Sequence, residues 1–249
     1  MSDCRQVRLV GGCYDVAMNL GRLHRTPREA VGELVRCTIR LCGRDYRYDR
    51  PTGLEVLFAH ESVQDAFAAD NYIPYWTELW PAASMLADAI AKEPWNAHRE
   101  RLGSLDALEL GCGLGLSGIV ALAHGLNVTF TDVDAAAVQL AAHNARLNGF
   151  REFEARAVDI RGTPERLWPI ILAADVLYEP RLVDPLIDYL RYGLATGGIA
   201  LVGDADRLSA RPFHNRLEVA GFTVQATVAK SGEKGSQAKG KVYRITREN

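Results

Sequence analysis

The sequence predicts an α/β fold: a doubly wound, mostly parallel, seven-stranded sheet ending in an antiparallel hairpin. Three observations predict it. From about residue 105, apolar strand patterns alternate with helical ones. The first of these strands runs into a turn with glycines at 111, 113, 115 and 118. The last two strand patterns, GFTVQATVAK and KVYRITR, have no helix between them.

The elements follow in order. Residues 1–72 read as an extension packed on the core, with a short helix over 27–36 and a hairpin from RCTIRLCG and DYRYD. Residues 73–249 form the main domain. A helix over 82–93 follows Trp80-Pro81 and leads into the apolar strand LDALEL. A helix over 114–125 comes next, then strand NVTFTD (127–132). Asp134 caps the next helix and Gly149 ends it. Strand FEARAVD (153–159) precedes PIILAAD (169–175), whose continuous apolar run suits burial on both faces. A helix over 181–193, strand GIALVGD (198–204) and a helix near 210–220 complete five β-α units. The hairpin then closes the sheet with a reversed edge strand, its two arms separated by the loop SGEKGSQAKG.

Composition narrows the classes. The net charge of −2 supplies no whole-protein attraction to nucleic acid or acidic membrane. No apolar run approaches the roughly 20 residues that span a bilayer. The start MSDCRQVRLVGG lacks an apolar signal core, so the expected location is cytoplasmic. The five cysteines include no Cys-x-x-Cys pair, and the histidines show no metal spacing. A reduced protein without a metal is expected.

The glycine turn brings backbone close to a small ligand, because glycine has no Cβ and tolerates positive φ. Gly113, Gly115 and Gly118 satisfy the Rossmann dinucleotide pattern G-x-G-x-x-G, with Asp132 or Asp134 near the ribose-binding position. Three features oppose a dinucleotide. Glu109 stands before the first glycine, where it repels a pyrophosphate but welcomes an ammonium group. About 100 residues precede the motif, and the sheet ends in a hairpin rather than another β-α unit.

S-adenosylmethionine (SAM) has an amino-acid end, a ribose diol and a sulfonium, but no phosphate. Glu109-Leu110-Gly111-Cys112-Gly113-Leu114-Gly115 resembles the E-x-G-x-G-x-G motif of the class I, seven-β-strand SAM-dependent methyltransferases. The likeness covers about residues 72–249. It implies that Gly111, Cys112, Gly113 and Gly115 line the cofactor. It also implies that Asp132 binds the ribose hydroxyls, as a carboxylate can accept both bonds. Asp159, at the end of the third strand, resembles the residue that meets the adenine amino group, and Ile160 covers the adenine face. Ala174 belongs to the same set.

The segment NYIPYWTELWP (71–81) places aromatic residues ahead of the motif. A Trp-Pro element there resembles the protein-lysine methyltransferases of this fold, in which the tryptophan lies beside the cofactor. An indole face at Trp80 suits a sulfonium or a substrate cation. The alternative is that Trp76 and Trp80 staple the extension to the sheet.

The fourth strand ends in Ala174-Asp175-Val176-Leu177-Tyr178-Glu179, at the reactive rim of a parallel sheet. There is no Pro-Pro-Tyr element for exocyclic-amine methylation and no cysteine after Cys112 for cytosine C5 chemistry. Only Glu179 stands where arginine methyltransferases show two glutamates. Together, PYWTELWPAA and ADVLYE look most like the lysine methyltransferases that include the enzyme of the electron-transfer flavoprotein β-subunit. Pro169 departs from the aspartate that often opens this strand. The resemblance implies methyl transfer to a protein side-chain amine, with Asp175 and Tyr178 orienting it. A small-molecule methyltransferase and a SAM-binding module without turnover are the alternatives. Finally, Lys230, Lys234, Lys239 and Lys241 face a single Glu233 across the last hairpin. They read as a solvated tip, with an acidic protein surface or RNA phosphates as the other reading.

Overall fold

The computed structural model describes residues 5–7, 32–52, 54–232 and 237–247. The large sheet contains β4 (Asp106–Leu110), β5 (Asn127–Asp132), β6 (Glu154–Ala157), β7 (Trp168–Ala174), β8 (Leu194–Asp204), β9 (Thr223–Ser231) and β10 (Ala238–Thr246). Its order is β6-β5-β4-β7-β8-β10-β9, so the chain reverses its direction of travel between β4 and β7. β4 to β8 are mutually parallel, and β10 is antiparallel to both β8 and β9.

The reversed strand is therefore not the edge. β10 lies between β8 and β9, and β9 forms the border. Burial explains the order. Val242, Tyr243 and Ile245 of β10 are buried, whereas β9 is mostly exposed. The strand with the bulkier apolar side chains takes the interior slot. The loop expected over residues 231–240 is shorter, because β9 runs to Ser231 and β10 starts at Ala238.

Helices cover both faces. α3 (Pro81–Lys92), α5 (Leu116–Ala123) and α6 (Ala135–Leu147) join one core, with Phe130, Ile170, Leu172 and Leu201 at its centre. α7 (Val183–Gly193) and α8 (Phe213–Val219) cover the opposite face through Leu186, Leu190, Phe213 and Leu217. α4 (Trp95–Leu102) was not legible, since its run WNAHRERL is polar almost throughout. Pro169 coincides with a register irregularity between Trp168 and Ile170, as a residue without an N–H should. Among the described residues, no helix is long and apolar enough to cross a membrane.

The extension carries the expected hairpin, β2 (Leu34–Leu41) with β3 (Arg44–Pro51), joined by β1 (Arg5–Val7) in a three-stranded sheet. The expected helix over 27–36 is not formed where it can be followed: residues 34–36 belong to β2, and residues 27–31 lie outside the described residues. Pairing with β3 along its whole length overrides the local helical pattern. Two further helices, α1 (Leu54–Phe58) and α2 (Glu61–Asp70), follow. Cys37 is disulfide-bonded, against the expectation of a fully reduced chain, while Cys42 and Cys112 are free.

One buried carboxylate docks the hairpin. Asp49 is fully buried and accepts bonds from Arg36 Nε (2.8 Å) and Nη2 (3.0 Å), with His143 Nε2 of α6 at 2.8 Å. Burial alone raises such a carboxyl, but the bonds from His143 and Arg36 outweigh it and hold Asp49 below its ordinary range. Asn144 completes the joint. Its side chain accepts from Asp49 N (2.8 Å) and donates to the carbonyls of Asp49 (3.1 Å) and Leu114 (3.0 Å). Asp49→Ala is expected to lower the unfolding free energy by about 2–3 kcal/mol, because Arg36 and His143 lose their shared partner. Because the folded carboxyl sits below its unfolded value, its stabilisation is present above that unfolded value. It disappears as pH falls through the folded one. Denaturant unfolding of wild type and variant at pH 7 and pH 3 measures both effects.

Candidate functional site

The switch between β4 and β7 opens a crevice at the carboxyl ends of the strands, where open α/β sheets bind ligands. A cavity of about 390 Å³ occupies it. Its walls are the glycine loop, Asp132-Val133, residues 158–161, Ala174–Val176, residues 178–182, Arg207 and much of the segment 72–80. Trp80, Glu109, Gly111, Cys112, Gly113, Gly115, Asp132, Asp159, Ile160, Ala174, Asp175 and Tyr178 line this cavity, whereas Gly118 and Asp134 do not.

The glycines do different work. Gly111, Gly113 and Gly115 all have positive φ, at 63°, 49° and 81°. A Cβ on Gly118 would lie 2.4 Å from Phe130 Cε1 and 2.5 Å from Glu109 Oε2. That glycine lets α5 press against β4 and β5. A Cβ on Gly113 would meet nothing closer than Trp76, at 3.7 Å. Of the three positive-φ glycines in the loop, Gly113 is the one where a Cβ would make only ordinary van der Waals contact, with Trp76.

Glu109, in β4, is buried beneath the loop. Its Oε1 accepts from Gly118 N (3.1 Å), and Oε2 has no hydrogen-bond partner among the described residues. Burial pushes its carboxyl up to about 8; the Gly118 bond offsets part of this, and the charge of Asp132 adds to it. Asp132 ends β5. Each of its oxygens accepts one backbone bond, from Gly113 N (3.0 Å) and from Asp134 N (3.0 Å). Burial pushes it up to about 6, against those bonds. Each oxygen keeps a lone pair for a further donor. Cys112 is buried, and burial raises its thiol well above the ordinary range, so it serves as a small wall residue rather than a nucleophile.

Asp134 caps α6 by accepting from Ala136 N (2.8 Å). The same carboxylate accepts from Trp76 Nε1 (2.9 Å) and from the Tyr72 hydroxyl. Trp76 packs with Leu34, Leu114 and Leu140, so it does staple the extension to the sheet.

The far end of the cavity is aromatic. The Trp80 ring lies 5.7 Å from that of Tyr75, which lies 5.3 Å from that of Tyr178, both edge-on. Trp80 Nε1 donates to the Tyr75 carbonyl (2.7 Å). Arg207 places its guanidinium 5.2 Å from the Trp80 ring, so the protein supplies a cation at the indole face itself.

Two placements differ from expectation. β6 ends at Ala157, so Asp159 lies on the following turn, where it pairs with Arg161. Asp175 has φ +54°, an uncommon conformation for a residue with a Cβ. Its Oδ2 accepts from Ala82 N (2.8 Å) and its Oδ1 from Arg207 Nε (2.9 Å). Both oxygens are thus engaged with the start of α3 and with Arg207. Arg207 itself, Glu78 and Val133 also line the cavity, and none carries a motif that marks it in the sequence. Among the described residues no cluster of His, Cys, Asp or Glu suits a metal ion.

The residues fit SAM on the structure's own terms. A buried carboxylate oxygen without a donor suits an ammonium group, and two backbone-anchored oxygens suit a diol. An apolar slot formed by Val133, Val158 and Ile160 suits a base.

Comparison with known proteins agrees. The electron transfer flavoprotein beta subunit lysine methyltransferase of Xenopus laevis is 30% identical over 149 residues, covering 58% of this chain and 58% of that protein. The Rattus norvegicus protein of the same name is 29% identical over 136 residues, covering 54% and 51%. The chain thus spans little more than half the length of these relatives. The magnesium protoporphyrin IX methyltransferase of Synechocystis with bound SAM shares the fold, with a TM-score of 0.50 and 14% identity over 66% of this chain and 79% of that one. The family model described as lysine methyltransferase matches residues 75–203, which hold the glycine loop, Asp132 and the β7 terminus, and the chain belongs to that lysine methyltransferase family.

Proposed function

We propose that this protein transfers a methyl group from SAM to a lysine side chain of another protein. One observation carries the reading. A single cavity is lined both by Glu109, a buried carboxylate with one oxygen lacking a hydrogen-bond partner, and by an aromatic trio, Tyr75, Trp80 and Tyr178. The first end suits the amino-acid part of SAM and the second suits an alkyl amine.

When bound, SAM supplies an electrophilic methyl on its sulfonium. The chain does the rest by placement. Glu109 holds the ammonium group, Gly113 leaves room beside it, and Asp132 accepts the ribose hydroxyls. Asp159 and Ile160 face the adenine. The aromatic trio takes the acceptor amine out of water. A lysine titrates near 10.4, so it must first lose a proton, and burial lowers that value. Tyr178 offers a hydroxyl to orient the amine. Asp175 is a positioning residue, since its oxygens hold the α3 N-terminus and Arg207.

Three outcomes test this. Gly113→Arg is expected to abolish SAM binding in a folded protein, because Gly113 lines the cavity and a long side chain there fills it. Titration calorimetry beside circular dichroism measures this, and unchanged affinity contradicts the site.

SAM affinity should also fall on acidification below about pH 7.5, where the α-ammonium of SAM, which ordinarily titrates near 7.7–8.0, is already charged. The free protein holds a proton on Glu109 up to about pH 8 and on Asp132 up to about pH 6, and a cationic, diol-bearing ligand favours the ionised forms. The loss approaches about tenfold per pH unit for each group below its own value. Glu109→Gln should remove the dependence between about pH 6.5 and 7.5; a dependence that persists there in the variant excludes Glu109 as its source.

For the acceptor, methyl-labelled SAM is incubated with purified electron transfer flavoprotein β subunit and with an extract lacking this protein. Label on a protein lysine, located by mass spectrometry, is the expected result. Label confined to the low-mass fraction points to a small-molecule methyltransferase instead.

A further inference from the structure

We propose that one face of the β9–β10 hairpin is a docking arm for an acidic protein surface surrounding the methylated lysine, an inference that rests on a protein acceptor.

The register shows that the hairpin is an arm. β8 stops at Asp204, which pairs with Lys241. β9 and β10 continue to pair with each other beyond that point, through Gly240↔Ala229, Lys239↔Lys230 and Ala238↔Ser231. Three residue pairs thus overhang the last β8 pair by about 10 Å, at roughly 3.3 Å per residue. The overhang is on the carboxyl side of β8, and Ala174, at the reactive rim of β7, pairs with Gly203. The arm therefore projects on the same side of the sheet as the cavity, one strand beyond β8. Gly240 seats its base, because a Cβ there would lie 2.2 Å from the Asp204 carbonyl oxygen and 2.7 Å from Met85 Sδ.

Charge gives the arm its partner. Lys239 and Lys230 are directly opposed, and Lys241 opposes Val228 two residues on, so all three lysines share one face. All three are exposed, as is Val228. Like charges directly opposed across a strand pair destabilise it. No ion pair joins these lysines to a described carboxylate. Asp204, opposite Lys241, turns one oxygen to Arg207 N (2.9 Å) instead. A hairpin that keeps this repulsion on an exposed face beside a catalytic rim is built for an anionic surface. The chain belongs to a lysine methyltransferase family, which favours an acidic protein over nucleic acid.

The test uses the full chain with fluorescently labelled poly-L-glutamate and, in parallel, the RNA homopolymer poly(U). Anisotropy should show salt-sensitive binding of poly-L-glutamate, weakened roughly tenfold by the combined variant K230E/K239E/K241E. SAM affinity should be unchanged in that variant. Lys230→Glu alone gives opposite signs: it faces Lys239 with a carboxylate, so Tm should rise while poly-L-glutamate binding weakens. Absent or equal poly-L-glutamate binding in wild type and variants overturns the proposal, as does a preference for poly(U). If wild type binds poly-L-glutamate and loses it in the variants, yet transfers no methyl to any protein, the anion-binding face is real but its role around an acceptor lysine is overturned together with the acceptor reading.

Discussion

The buried carboxylate of Asp134 connects the two halves of the site. It caps α6 and accepts from Trp76 and Tyr72. It follows Asp132 by two residues, and its own N–H holds Asp132 in place. One side chain therefore fixes the end of β5, where the cofactor ribose sits in the proposed reading, and the segment 72–80, which carries Tyr75 and Trp80. A buried charge is tolerated only when its hydrogen bonds are satisfied. Satisfying this one holds the aromatic segment against the cavity as part of its wall.

Asp175 does similar work on the other wall. Its left-handed backbone is strained for a residue with a Cβ, at a cost of about 1–2 kcal/mol. Two bonds offset the strain, one to the start of α3 and one to Arg207. Arg207 in turn lies against Trp80, whose own Nε1 is bound to the Tyr75 carbonyl. This wall of the cavity is thus assembled from α3, the residues after β7 and the residues after β8. Each depends on the other two for its geometry. Strain held by surrounding contacts at a strand terminus is characteristic of functional sites.

Much of this was legible in the sequence. The glycines read as a tight approach, and Gly111, Gly113 and Gly115 adopt positive φ. Asp134 read as a cap, and it is one. The alternating pattern located β4 to β8 to within a few residues, because periodicity reflects which face is buried. The reading failed where partners are distant. Residues 34–36 look helical alone but pair with β3. The last strand looked like an edge, yet its buried Val242, Tyr243 and Ile245 carry it inside β9. Arg207 carries no motif, and only its contacts with Asp175 and Trp80 reveal it.

By itself the sequence determined the α/β order of the main domain, the position of the glycine loop after its first strand, and the carboxylates before and after that loop. These are local demands: positive φ, alternation of burial and the capping of a helix start. Tertiary structure decided the chemical state of those carboxylates and the company they keep. Glu109 is pushed up to about 8 because strands and helices remove its water. Asp175 faces Ala82 and Arg207 because the chain returns there from 93 and 32 residues away. Desolvation and pairing are set by neighbours in space, and a linear pattern carries the neighbours in sequence only.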